Sequence, residues 1–136
     1  MHQLEAVHNP AKFHVVTEES IRLLIDTFYE GVRKDEVLGP VFEAVLHDRW
    51  AAHMPRMYDF WSRILLGTKR FKGDVYVKHM ALTGITEQHF VQWLSLFRDT
   101  VTRLYDEDAA NAVLKAADSI AESLQLGYFG AQRVRR

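Results

Sequence analysis

Apolar side chains return every three or four residues along almost the whole chain. That is the spacing of one face of an α-helix, and it is incompatible with the two-residue alternation of a half-buried strand. Ile21, Leu24, Ile25, Phe28 and Val32 make the first such face. Thr17 is placed to cap it, with Glu18 and Glu19 in the first turn, where the helix dipole favours acids. A second face runs from Asp48 through Trp50, His53, Met54, Met57, Phe60, Trp61, Ile64 and Leu65 to a stop at Gly67. Between them Gly39-Pro40 is expected to break the helical run, with Val41-Phe42 opening a short apolar turn. Pro55 lacks an N–H, so it is expected to kink the second helix or open its hydrogen-bond ladder.

Residues 68–74 read as a polar loop and Val75 to Met80 as a short helix, followed by a break at Thr83-Gly84. Thr86 caps a third strong helix with Phe90, Trp93, Leu94, Phe97, Val101 and Leu104 on one face. A last helix starts near Asp106–Asp108 and is expected to bury Val113, Leu114, Ala117, Ile120, Ala121 and Leu124. No repeat, low-complexity tract or linker divides the chain. One all-α domain over residues 1–136 is expected, long enough to bury a core without disulfides or a structural metal.

The chain has no cysteine, which removes thiolate catalysis and cysteine-bound metals. A formal net charge of -1 argues against a nucleic-acid partner, because such a domain usually carries a basic stripe. The cluster Arg133-Val134-Arg135-Arg136 reads as a solvated tail. Neither an apolar leader after Met1 nor a stretch of the ~20 apolar residues a membrane span needs is visible, so a cytoplasmic location is expected.

Motifs for other chemistries are missing: no glycine-rich phosphate loop, HExxH pair, GxSxG elbow or Glu-x-x-His pair of the di-iron kind occurs. Several of the seven histidines fall among apolar residues. His53 and Met57 share a helix face with Trp50, Phe60 and Trp61, and His79 lies between Val77 and Met80. Taken alone, each such histidine is more often a partly buried, hydrogen-bonded residue than a metal ligand. Aromatic residues at helical spacing equally make an ordinary core. Periodicity stops there.

The order of these residues carries a more specific message. Phe28-Tyr29-Glu30-Gly31-Val32-Arg33 is followed by Asp35-Glu36-Val37-Leu38-Gly39-Pro40-Val41-Phe42, then by His53-Met54-Pro55-Arg56-Met57-Tyr58-Asp59-Phe60-Trp61. His79 comes next, and then Gly84-Ile85-Thr86 with His89-Phe90 and Trp93-Leu94. Over roughly residues 17–105 this series resembles the truncated haemoglobins, small bacterial-type globins folded as a two-over-two helical sandwich around haem. The third group of that family is the most similar, since its members combine a distal Tyr, His and Trp and lack double-glycine hinges. No Gly-Gly occurs in this chain.

The resemblance implies haem b (iron protoporphyrin IX) held by His79 as the proximal iron ligand. It implies walls formed by Phe42, Met57, Phe60, Val75 and Leu82, and a distal set of Tyr29, His53 and Trp93, with His53 as a gate. Lys69, Arg70 and Lys72 are candidates for pairing the haem propionates, although solvent exposure is the plainer reading of each. The ligands implied are dioxygen, carbon monoxide, nitric oxide, cyanide or peroxide, with an electron donor that the sequence does not identify. Tyr29 offers an O–H, and Trp93 and His53 offer N–H groups, more donors than reversible transport needs. The expected role is therefore redox chemistry on oxygen, nitric oxide or peroxide, of a peroxidase-like or nitric oxide dioxygenase-like kind, with no catalytic residue assigned. Two rivals stand beside it: a cofactor-free helical interaction or regulatory domain, and a haem-based sensor signalling through a partner.

Overall fold

The computed structural model describes residues 11–130. The Met1 end and the Arg133–Arg136 cluster discussed above lie outside the described residues. Six helices occur among the described residues: α1 (Glu18–Lys34), α2 (Leu38–Leu46), α3 (Trp50–Leu66), α4 (Val75–Met80), α5 (Glu87–Leu104) and α6 (Glu107–Phe129).

Their ends follow local chemistry. Thr17 and Ser20 form a reciprocal capping box at α1: the Ser20 N–H donates to Thr17 Oγ1 at 3.1 Å and the Thr17 N–H to Ser20 Oγ at 2.9 Å. Thr86 and His89 repeat the device at α5, while Asp74 and Asp106 cap α4 and α6. Gly67 ends α3 in the left-handed conformation at φ 75°, which costs glycine nothing.

Two expectations need correction. Gly39-Pro40 does not break the chain but lies inside the first turn of α2, where an N–H has no intrahelical acceptor and proline is tolerated. The break falls earlier, at Asp35, whose Oδ2 accepts from the N–H groups of Val37 at 3.0 Å and Leu38 at 2.9 Å. The other helix starts at Trp50, past Asp48, without a side-chain cap, and runs through Pro55 as one element.

The helices pack as two pairs, α1 with α3 and α5 with α6, and α1 also packs on α5. This is the two-over-two sandwich. Short α2 leans on α1 and α5, and α4 leans on α6. Phe97 is fully buried where the layers meet. Its ring stacks on Trp93 (centroids 5.0 Å, 5°) and on Trp61 (5.1 Å, 22°), and meets Phe28 edge-on at 5.0 Å. Leu24, Ile25, Val32, Val101 and Val113 complete a core without solvent access. Two of its buried hydroxyls are paired within it: Tyr105 donates to Ser20 Oγ at 2.8 Å and Thr100 to the Leu96 carbonyl at 2.9 Å. Among the described residues no helix is long and apolar enough to cross a membrane.

Candidate functional site

An apolar cavity of about 450 Å³ opens beside that core, a size typical of sites for small organic molecules. Tyr29, Phe42, His53, Met57, Phe60, Val75, His79, Leu82 and Trp93 all line it. The nine side chains expected as ligand, walls and distal set thus converge on one space, drawn from α1, α2, α3, α4, α5 and the turn after α4. A second groove, of about 400 Å³ between Glu18, Arg22, Tyr58 and Arg70, is charged.

His79 sits on α4, near the end of a helix of six residues. Its ring Nδ1–H donates to the Val75 carbonyl one turn back, at 2.8 Å. That bond selects the tautomer in which Nε2 carries a lone pair and no proton, the form a metal requires.

One wall of the cavity is a knot of rings. Tyr29 meets Phe42 at 5.8 Å, Trp50 at 5.9 Å and His53 at 5.5 Å. Trp50 also meets His53 at 6.1 Å and is fixed from outside by the Arg33 guanidinium, 4.6 Å over its ring, and by its own N–H, which donates to Glu43 Oε1 at 3.3 Å. Burial pushes the Tyr29 phenol well above its ordinary pKa, so it stays a protonated donor. Desolvation first, then the neighbouring Arg56 and His79, lowers the His53 pKa and favours the neutral imidazole. His53 Nε2 is buried without a hydrogen-bond partner among the described residues. A polar atom left so costs about 1–3 kcal/mol, which the fold retains at the cavity wall.

Three features escaped the sequence reading. Trp50 looked like one more core residue, yet it braces both Tyr29 and His53. Phe71 lies in the stretch taken as a polar loop but is buried, edge-on to Phe60 at 5.4 Å, and lines the cavity. The cations on the lining are Arg49, Arg56 and Lys78, not those of 69–72. Arg49, Ala52, His53 and Arg56 follow the i, i+3, i+4, i+7 spacing of one helix face, a signal the sequence did contain. Arg70 is committed elsewhere. Its guanidinium pairs with Glu18 at 2.9 Å and Asp59 at 3.0 Å and donates to Ser62 at 3.1 Å. Lys69 and Lys72 are exposed.

Such a helical sandwich, with a lone-pair histidine and a Tyr–His–Trp set on the lining of one apolar cavity, defines a globin of the small, truncated kind. No protein-family profile matches the chain. It is, however, 35% identical over 117 residues to the group 3 truncated haemoglobin ctb of Campylobacter jejuni, covering 84% of this chain and 92% of that protein. The crystal structure of a group III truncated haemoglobin from the same organism superposes with a TM-score of 0.81 at 35% identity, covering 85% of this chain and 93% of that one. The chain belongs to the group III truncated haemoglobins.

Proposed function

We propose that the cavity holds haem b through His79 Nε2 and that the protein acts on small oxygen- or nitrogen-containing ligands, with a redox role rather than bulk oxygen transport. The observation that carries this reading is the His79 ring, locked by Val75 into its metal-binding tautomer on the lining that also carries the orphaned His53 Nε2. Haem, when bound, supplies an iron with one open position for dioxygen, carbon monoxide, nitric oxide, cyanide or peroxide.

The residues present fit that group. Phe42, Met57, Phe60, Val75 and Leu82 supply apolar surface for a flat macrocycle, and Arg49, Arg56 and Lys78 supply countercharge for its carboxylates. Tyr29 O–H, Trp93 N–H and the His53 ring are the donors on the lining. A ligand that gains negative charge there is stabilised by about 1.5–3 kcal/mol per well-aimed donor. That corresponds to roughly 10- to 150-fold slower escape for each donor, too slow for a carrier and suited to chemistry on a retained ligand. Donors of this kind, aimed at a bound ligand, would also polarise an O–O bond, which favours peroxide or oxygen chemistry with an external electron donor.

The test is an optical spectrum of the purified protein, ferric and then ferrous with carbon monoxide. Wild type and His47→Ala are expected to show the bands of a histidine-ligated haem, and His79→Ala to lose haem or hold it weakly. Unchanged haem content and spectrum in His79→Ala would remove His79 from the role.

A further inference from the structure

The helix that carries His79 is too short to hold itself. Six residues provide little more than one turn of hydrogen bonds, whereas isolated helices need roughly twelve or more residues to persist in water. The carbonyl of His79 lies in the last turn, where backbone acceptors have no helical partner. It is taken up from outside: the Leu82 N–H donates to it at 2.9 Å, and the Tyr128 hydroxyl donates to it from the far end of α6. Tyr128 is itself held by ring contacts to Phe90 at 5.9 Å and Phe129 at 5.8 Å.

The neighbouring residue explains how the hydroxyl comes so close. A Cβ on Gly127 would stand 2.5 Å from Tyr76 Oη and 2.8 Å from Met80 Sδ, both side chains of α4. The ends of the Tyr76 and Met80 side chains thus occupy the space beside Gly127, so α4 packs directly on this turn of α6, and the next residue, Tyr128, reaches His79. Two of these bonds reach the histidine from different sides. Val75 fixes the ring, and Tyr128 fixes the backbone that carries it.

We infer that Gly127 and Tyr128 form a proximal clamp, in which the end of α6 sets the position of His79 and so the strength and geometry of its bond to the cofactor. The inference rests on His79 being the iron ligand. Tyr128 is a positioning residue that does not touch the reacting atoms. Its removal changes where the ring stands and leaves the ring's identity intact.

The experiment compares wild type, Tyr128→Phe, Gly127→Ala and His79→Ala, each after the same reconstitution with haemin. The readouts are the iron–histidine stretching band of the ferrous form, haemin release to an excess of an acceptor apoglobin, and amide hydrogen exchange over residues 75–82. Tyr128→Phe keeps the ring and deletes one hydrogen bond, so the band should shift, exchange should quicken and haemin should leave about five-fold faster. Gly127→Ala should move all three in the same direction by pushing Tyr76 and Met80 away. If His79→Ala keeps the wild-type band, the ligand assignment falls and the clamp falls with it. If His79→Ala loses the band while Tyr128→Phe and Gly127→Ala match wild type in all three readouts, the assignment stands and the clamp is overturned.

Discussion

Tyr29 and His53 meet edge to face at 87°, with ring centroids 5.5 Å apart, and both line the cavity. Trp50 closes the triangle from behind. The sequence suggested a gate loosened by Pro55, two residues further on. In the structure His53 is instead packed against two rings, each contact worth about 0.5–1.5 kcal/mol, and the helix through Pro55 is continuous. Any outward swing of the imidazole must give up those contacts, so the inward pose is the resting one.

His53→Leu is accordingly expected to change carbon monoxide association several-fold, because it alters the side chain at the cavity wall. Wild-type association should vary with pH below ~6.5, the ordinary imidazole value, since desolvation and then Arg56 and His79 lower the His53 pKa. The mutant should lose that dependence. Equal rates for both proteins from pH 5 to 8 would show that His53 does not control access.

The same shift makes a stability prediction for the haem-free protein. Above pH ~6.5 the imidazole is neutral in both folded and unfolded chains and contributes no slope. Below it the unfolded chain takes up the proton first, so stability falls until the lower folded-state pKa is passed. Urea unfolding should show a smaller loss between pH 6.5 and 5 in His53→Leu than in wild type. Parallel curves would mean the imidazole titrates normally.

Tyr29→Phe deletes one donor and leaves the ring. Oxygen dissociation, followed by displacement with carbon monoxide in a stopped-flow instrument, should quicken by about 10-fold or more, and Trp93→Phe should act in the same sense. Wild-type rates in both variants would place neither group against the ligand.

Asp35→Ala should destabilise the fold by about 1 kcal/mol, the net worth of a typical hydrogen bond. Its Oδ2 holds the start of α2, and its Oδ1 accepts from Gln92 of α5 at 2.8 Å. Burial raises the Asp35 pKa, but the Leu38 N–H, Gln92 and the Val37 N–H outweigh it and leave the carboxyl below its ordinary value. Its contribution is therefore complete above the unfolded value of ~3.9 and vanishes as pH falls through the folded one. Denaturant midpoints of wild type and variant should converge once the pH falls below the folded-state value.

The core makes a blunter prediction. Phe97→Ala removes the ring between Trp93 and Trp61 and should cost about 3–5 kcal/mol in thermal or urea unfolding. A loss under 1 kcal/mol would show that the neighbouring indoles collapse into the gap.

What could be read from the residues was largely what short-range chemistry decides. Thr17 and Thr86 announce their helices because a cap acts within three residues, and the apolar faces of α1, α5 and α6 reflect a single period. Pro40 misled because proline suits a first helical turn as well as a break, and the deciding partner, the Asp35 carboxylate, acts through space. Arg70 could not be read at all, since Glu18 stands 52 residues away in sequence. Phe71 was hidden by its polar neighbours. Met57 and Phe60 expose a subtler limit. A side chain facing a cavity obeys the same periodicity as one facing a core, so the site emerged from the order of motifs and not from spacing.

The stack of Trp93, Phe97 and Trp61 has an optical consequence. Trp61 and Trp93 line the cavity, and Trp50, the third of the chain's three tryptophans, packs on Tyr29 and His53 of the same wall. Every indole that can emit therefore lies within one side chain of the space assigned to the cofactor. A pigment bound there would darken the whole emission at once, and its departure would restore it before any helix unfolds. Tryptophan fluorescence, usually a gauge of global unfolding, is in this protein a gauge of occupancy.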